Sequence, residues 1–286
     1  MNQNSRRNCP SCRFKLCLKA GMKSGSESAE QLSSELGPSV SSWKKGYESL
    51  ENARKHAFGI TEATIPKPST YTMQNVVITI DFKLITNHLI SEIDEFRKLE
   101  KAKQKTLLSQ FIAPFHILES TYKSAEKNRV MLANGDYIDH EGLDKYYKDL
   151  FDAQHQLAFR VFKPYWDLQH RIIRSALDEV HLDRNEFLFL VALMLWDIDF
   201  HECDEDLMIA CKDEKQKLMK ELCQYEKYRE FAGELEEERS MRVGRIVSML
   251  QGMQRTLSML HESHEVSQFY QLDTLHDTFF ELLKCS

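Results

Sequence analysis

Apolar residues recur at steps of three and four along most of the chain after residue 43, and this is the spacing of one face of an α-helix. The clearest stripe comprises Phe82, Ile85, Leu89, Ile93 and Phe96. The VVITI stretch before it, at 76–80, is rich in β-branched residues, which favour strands. Because VVITI runs directly into the stripe, we interpret the whole region as helical. The same spacing predicts further helices over residues 44–58, 104–127, 143–162, 166–180, 184–198, 205–231, 235–262 and 272–284.

One stretch departs from the helical pattern. VMLANGDYI, at 130–138, has two short apolar arms around Asn134 and Gly135. An Asn-Gly pair supplies the two positive φ angles of a type I′ turn, so we predict a β-hairpin here. Residues 46–286 are therefore predicted to form one all-α domain with a single small hairpin inside it.

Charge is distributed unevenly along the 286 residues. The formal net charge is −6, yet residues 1–23 contain six basic residues and no acidic one. A basic head on an acidic body is typical of a nucleic-acid contact, although a solvated tail would have the same composition. Eight serines lie between residues 24 and 42, so residues 24–45 are predicted to be a flexible hinge.

Several classes of protein are disfavoured by composition. Seven scattered cysteines and no apolar N-terminal signal indicate a reducing compartment rather than a disulfide framework. The longest apolar run, at 187–196, is ten residues, about half of a membrane span, and predicts a buried helix rather than a membrane protein. Gly-x-Ser-x-Gly, phosphate-binding glycine loops and H-E-x-x-H are all missing from the sequence, which disfavours an enzyme.

The basic head contains Cys9 and Cys12 at the C-x-x-C spacing of a zinc site. The segment RRNCPSCRFKLCLKAGM, at 6–22, resembles the end of the second zinc module of the nuclear hormone receptor DNA-binding domain. In that family the preceding zinc ligand would fall before Met1, so we expect residues 1–23 to be a truncated remnant that holds only half of a zinc site. The resemblance implies that four side chains contact DNA phosphates: Arg6, Arg7, Arg13 and Lys15. DNA binding by this chain is expected to be weak or to depend on a partner.

The body resembles the ligand-binding domain of the same family. Residues 96–108 match its signature F-x-x-L-x-x-x-x-Q-x-x-L-L, LDEVHLDRNEFLFLVALMLWD matches a later buried helix, and RVGRIVSMLQGMQRTLSML matches the long helix used for dimerisation. The loops are most similar to the nematode branch. The resemblance implies a three-layer helical sandwich, preceded by the partial zinc-finger module, in a nuclear transcription factor for RNA polymerase II genes.

The last predicted helix contains TFFELL, which resembles the family's activation motif except that Thr278 replaces an apolar residue. The resemblance implies a groove that binds a coactivator helix. The motif residues would be Phe279, Phe280, Glu281, Leu282 and Leu283, with Glu281 as the acidic half of a charge clamp. The basic half is expected at residue 91, which is serine here. Coactivator binding is therefore expected to be weak, moved to another basic residue, or replaced by corepressor binding.

Two further sets of residues follow from the resemblance. Candidates for a lipophilic ligand pocket are Phe82, Ile85, Leu89, Phe111, Phe115 and Tyr137, although aromatic side chains among them could instead fill that space. Candidates for a surface that forms a homodimer, or a heterodimer with another nuclear receptor, are Met249, Met253 and Met259, if the outer edge of their stripe is exposed. A different class of function stays open, in which the helical body acts as a scaffold that titrates full-length receptors or coregulators.

Overall fold

The computed structural model of the protein describes residues 37–124, 126–149, 154–197, 204–228 and 236–272. The predicted zinc ligands, phosphate contacts and activation motif all lie outside these ranges. No helix in the described ranges is long and apolar enough to cross a membrane.

The first helix, α1 (Pro38–Phe58), begins inside the segment predicted to be a hinge. Its start is anchored by Glu221, whose carboxylate accepts hydrogen bonds from Ser39 N at 3.3 Å and Val40 N at 3.2 Å. An anion at a helix N-terminus satisfies free N–H groups and complements the helix dipole. Val40 and Trp43 are 0 % and 1 % exposed. The prediction of a flexible hinge is therefore wrong for residues 38–45, because long-range burial outweighs the serine-rich composition.

The ambiguous VVITI stretch is helical, as predicted, and lies in α2 (Tyr71–Leu84). Thr70 caps this helix by accepting a hydrogen bond from Met73 N. A π-helical turn (Ile85–Leu89) and a 3₁₀ turn (Ile90–Glu92) continue it. The next helices are α3 (Asp94–Arg97) and α4 (Lys101–Tyr122), which contains Pro114.

The predicted hairpin is present, with a different turn. Strands β1 (Arg129–Met131) and β2 (Tyr137–Asp139) pair antiparallel. Gly135 has a φ of +85°, but Asn134 is not among the described residues with positive φ, so the turn is not type I′. Gly135 N donates to Leu132 O at 3.0 Å and Leu132 N donates to Asp136 O at 2.8 Å. These bonds define a three-residue loop with glycine at the left-handed position, the next most common hairpin geometry.

The region after the hairpin is divided differently from the prediction. A 3₁₀ turn (His140–Gly142) and α5 (Leu143–Tyr146) are followed by α6 (His155–Gln169). A π-helical turn (His170–Arg174) then leads into α7 (Ser175–Val180). The predicted break near residue 164 is wrong, because Pro164 lies inside α6. The chain is buried on both sides of this proline, at Phe162 and Tyr165, and burying two such side chains offsets the roughly 3 kcal/mol that proline costs in a helix.

The middle of the fold is α8 (Arg184–Leu195), in which every residue from 186 to 195 is buried. Its start is fixed by Asp183, which caps the helix while Glu186 bonds back to Asp183 N. The remaining helices are α9 (Glu205–Tyr228) and α10 (Glu236–Phe269). Helices α4, α8 and α9 form a central layer between α1 with α2 on one side and α6 with α10 on the other. The expected three-layer helical sandwich with one small hairpin is therefore confirmed.

Candidate functional site

A small, partly open cavity lies between α2, α4, the hairpin and α6, and we call it the main cavity. Its lining includes apolar side chains from all four elements: Val77, Ile78, Ile117, Val130, Leu132, Ile138 and Trp166. Its polar lining includes Gln74, His116, Glu119, Ser120 and Gln169. Apolar walls with a few polar groups are typical of small-molecule sites.

The main cavity has a volume of about 30 Å³, which is room for about two water molecules. Sites for drug-sized molecules are roughly 300 Å³ or larger. A ligand of that size therefore enters only if side chains or the hairpin move.

A buried ionic network includes Glu119, which lines the main cavity. Arg54 binds both carboxylate oxygens of Asp81 at 2.6 Å, and binds Glu119 at 2.6 and 2.8 Å. Tyr47 donates a further hydrogen bond to Glu119 at 2.7 Å, and Lys123 lies 3.1 Å from the same carboxylate. The network joins α1, α2 and α4, so the wall of the cavity that contains Glu119 is rigidly held.

The charges of this network shift the pKa values of two groups that line the main cavity, Glu119 and His116. Burial alone raises the pKa of Glu119, but the charges of Arg54 and Lys123 and the hydrogen bonds from Arg54 and Tyr47 outweigh it and hold the pKa well below its usual range. Burial lowers the pKa of His116; Arg54 lowers it further, and Asp81, whose Oδ2 lies 3.8 Å from His116 Nε2, only partly opposes this. At neutral pH Glu119 is therefore ionised and His116 is neutral.

A second cavity, the hairpin cavity, lies between the hairpin, the end of α4 and the π-helical turn after α6. It measures about 20 Å³ and shares Val130, Ile138, Trp166 and Gln169 with the main cavity. His140, His170 and Arg174 also line it. The rings of His140 and His170 are 5.1 Å apart between centroids. Burial and the neighbouring His170 lower the pKa of His140, and Asp167 opposes them.

Several buried polar atoms around the two cavities have no hydrogen-bond partner among the described residues: His116 Nε2, Gln169 Oε1, His170 Nε2 and Arg174 Nε. Buried polar groups are normally paired, and an unpaired one costs about 1–3 kcal/mol. These atoms border cavities with room for a few water molecules, which could pair with them.

The predicted pocket residues lie elsewhere in the described structure, and none of the six lines either cavity. Ile85, Leu89, Phe111 and Phe115 are fully buried in the core. Phe111 stacks on Phe115 with centroids 5.3 Å apart. Phe82 is half-buried against the core, and Arg129 covers the ring of Tyr137 at 4.0 Å. The alternative in which Phe111 and Phe115 fill space with their own side chains describes their positions better.

The predicted and the observed cavity linings differ because they lie on different faces of α4. The apolar stripe of α4 through Phe111 and Phe115 packs into the core, while the cavity wall is the face that carries His116, Glu119 and Ser120. The sequence signal that could have identified the cavity wall is the set of polar residues at i, i+3 and i+4, which are His116, Glu119 and Ser120, within an otherwise apolar stretch of the helix.

The residues predicted to form a dimer surface are more buried than expected. Met249 and Met253 are 3 % and 2 % exposed and belong to the core, and Met259 is partly buried against it. Met249 and Met253 are therefore not available to a partner chain. The apolar stripe of α10 packs internally, against α6 and the central layer, and its members are Val243, Ile246, Val247, Leu250, Met253, Leu257 and Leu260.

The expected position of the basic clamp residue has no positive charge. Ser91 donates a hydrogen bond to Asn87 O at 2.6 Å, and the following Glu92 pairs with Lys45 at 2.7 Å. The described residues contain no group of three or more His, Cys, Asp or Glu side chains that could hold a metal ion, while Cys9 and Cys12 lie outside them.

Comparison with known proteins assigns the chain to a family. Residues 61–270 match the ligand-binding domain of nuclear hormone receptor. Nuclear hormone receptor family member nhr-42 of Caenorhabditis elegans is 33 % identical over 300 residues, covering 96 % of this chain and 82 % of the relative. Member nhr-108 of the same nematode is 31 % identical over 274 residues, covering 93 % and 79 %. The fold, the matched domain and these relatives together show that the chain belongs to the nuclear hormone receptor family.

Proposed function

We propose that this chain is a transcription regulator of the nuclear receptor type, acting in the nucleus, whose helical domain is controlled by a small molecule bound in the main cavity. The observation that carries the proposal is the main cavity itself, which has apolar walls from four elements and unpaired polar atoms on His116 and Gln169. Core packing alone does not require either polar group to be there.

The mechanism follows from the small volume of the cavity. A ligand that requires movement of the hairpin or of α6 stabilises the open arrangement, and it shifts the population by its difference in affinity for the two arrangements. The network around Arg54 holds α2 and α4 together, so the movement is expected on the hairpin side.

The output is proposed to pass through the activation motif at Phe279–Leu283, with Glu281 binding the N-terminus of a coregulator helix. The expected position of the basic clamp residue is Ser91, so a coregulator would depend more than usual on Glu281 and on the apolar residues of the motif. Arg6, Arg7, Arg13 and Lys15 are proposed to contribute DNA affinity without sequence information. Zinc binding by Cys9 and Cys12 is not part of the proposal.

The test is a reporter assay with the chain fused to an unrelated DNA-binding domain. Glu281→Lys is expected to remove regulation of the reporter while leaving the thermal unfolding midpoint unchanged. Glu262→Lys is the matched control, because Glu262 is exposed on α10 and the same charge change is made at a residue that is not part of the motif. Equal reporter activity for wild type and Glu281→Lys would reject the activation motif.

The ligand half of the proposal is tested separately with Ala133→Leu, which adds three carbon atoms to the lining of the main cavity. Filling the cavity should make the reporter insensitive to lipophilic extracts that change wild-type activity. A variant that responds like the wild type would show that ligands act elsewhere.

A further inference from the structure

Ser91 begins a short acidic run at the end of the helical segment that continues α2. The sequence SEIDE places carboxylates at the first, third and fourth positions after the serine, on Glu92, Asp94 and Glu95. Carboxylates at these positions complement the basic substrate cleft of acid-directed protein kinases. Among the described serines and threonines, Ser175 is the other residue with acidic side chains at both the third and the fourth position. The two serines can therefore be compared.

The carboxylates after Ser91 are accessible from solvent. The side chains of Asp94 and Glu95 are 60 % and 42 % exposed, and their partners Arg97 and Lys98 are more exposed still. Exposed ion pairs of this kind contribute little to stability. Basic side chains of a kinase can therefore replace these partners at small cost.

The backbone around Ser91 is irregular. Ser91 lies in the 3₁₀ turn Ile90–Glu92, the next residue Ile93 is extended, with φ −91° and ψ 104°, and α3 is only four residues long. Ser91 is partly exposed, and its hydroxyl donates to Asn87 O at 2.6 Å. Short turns of this kind open locally at low free-energy cost, and an open turn presents the hydroxyl and the acidic run together.

Ser175 is placed differently, although its acidic residues are spaced in the same way. It is the first residue of α7, and the chain is helical without interruption from His155 to Val180. The carboxylate of Asp178, three residues after it, is paired with Lys127 at 3.3 Å. Ser175 therefore has the pattern without the irregular backbone.

A phosphate on Ser91 would act on the turn that contains it. The phosphate adds about −1.5 to −2 charges, and it replaces the hydroxyl that donates to Asn87 O. It would lie near the C-terminal end of a helical segment, where the helix dipole is negative, and beside the carboxylate of Glu92. Both surroundings repel a phosphate, so modification favours the open turn.

The same turn is held by α1. Lys45 pairs with Glu92 at 2.7 Å, and Ser49 Oγ lies 3.1 Å from His88 Nδ1. The backbones are also in close contact, because a Cβ atom on Gly46 would lie 2.7 Å from Leu89 O. Opening of the turn therefore loosens α1 from the end of α2.

We propose that Ser91 is phosphorylated by an acid-directed serine/threonine kinase and that the phosphate opposes coregulator binding. In the reaction Ser91 Oγ attacks the γ-phosphorus of ATP, the bond from that phosphorus to the β–γ bridging oxygen breaks, ADP leaves, and a base of the kinase takes the hydroxyl proton. The regulatory half rests on the proposed function, because Ser91 stands where a basic clamp residue is expected. Negative charge there repels the C-terminal carbonyl groups of a bound helix.

The modification is tested on the folded full chain with purified casein kinase 2, ATP and Mg²⁺, and phosphate at each serine is followed by mass spectrometry. Ser91 is expected to be phosphorylated at least tenfold faster than Ser175. Asp94→Asn should slow the reaction at Ser91 about tenfold, whereas Asp178→Asn should leave it unchanged. No phosphate at Ser91, or phosphate there only after unfolding in urea, overturns the proposal.

The regulatory half is tested with Ser91→Asp in the reporter fusion, after circular dichroism has shown that the variant is folded. Ser91→Asp is expected to lower reporter regulation at least threefold, and Ser175→Asp, the matched control, to leave it unchanged. Phosphorylation of Ser91 with full regulation in Ser91→Asp overturns the regulatory half alone. A failure of the proposed function is recognised separately, because Glu281→Lys would then be silent in the reporter while the phosphorylation rates stay as expected.

Discussion

Two arginines are buried in the described part of the chain, and their surroundings differ in kind. Arg54 is 2 % exposed and forms four hydrogen bonds to two carboxylates, on Asp81 and Glu119. Arg174 is 7 % exposed and forms its bonds to three backbone carbonyls, with the Asp178 carboxylate 3.9 Å away. The first arginine has its charge matched within the fold and its role is structural. The second donates mainly to neutral carbonyl oxygens, so its charge is less completely matched by the residues around it.

The largest expected effect comes from Arg54→Met. It leaves Asp81 and Glu119 buried without the guanidinium that joins them, and breaking such a buried pair costs about 3–5 kcal/mol. Urea unfolding followed by circular dichroism measures the loss. Arg184→Met is the control, because Arg184 pairs with Glu51 at the surface and such pairs are worth about 0–1 kcal/mol. Similar losses for both variants would show that the buried network is not a special source of stability.

The second-largest expected effect is a loss of folding stability at low pH. The pKa of Glu119 is depressed in the folded protein, so its contribution to stability is present above the unfolded value of about 4.3 and is lost as the pH falls below it. We expect the free energy of unfolding of the wild type to fall between about pH 5 and pH 3. The fall should be smaller in Arg54→Met, where Glu119 loses the charge and hydrogen bonds of Arg54 that lower its pKa. Parallel curves for the two proteins would contradict this assignment.

Arg174→Met should cost less than Arg54→Met, about 1–3 kcal/mol, because the three carbonyls lose a donor but no buried carboxylate is stranded. The same urea titration measures it. A loss equal to that of Arg54→Met would mean that Arg174 is as structural as Arg54, and would weaken the contrast between the two sites.

The smallest effect is expected for Gln169→Leu. This change removes one hydrogen bond to Thr121 and also one buried unpaired atom, and these contributions nearly cancel, to within about 1 kcal/mol. An unchanged or raised unfolding midpoint would show that the amide is kept for something other than stability. A large loss would show that the amide is a structural group.

Much of the fold was predictable because apolar periodicity is a local signal. The helical interpretation of VVITI, the buried helix at 184–198 and the hairpin at residues 130–138 are confirmed in kind. The errors occurred where a distant contact decides the local structure. Glu221 and the core helix α8 stabilise the start of α1 inside a serine-rich segment, and burial carries α6 through Pro164.

The candidate site was less predictable, since an apolar stripe on a helix does not indicate which part of the fold the stripe packs against. Phe111, Phe115, Met249 and Met253 all belong to apolar stripes, and all four pack in the core. The cavities are lined instead by residues that would be assigned to a solvated face, such as His116, Gln169 and Arg174. The predictions for the zinc ligands and the activation motif stay predictions.

The sequence by itself determined the helical class, the hairpin and the family, because periodicity, turn residues and short motifs are properties of neighbouring residues. Only the tertiary structure decided that Arg54 meets two carboxylates while Arg174 meets three carbonyls, and that two cavities adjoin at Gln169. The physical reason is that charge compensation and cavity shape depend on which side chains from distant parts of the chain are brought within a few ångströms of each other, and no local pattern encodes that distance.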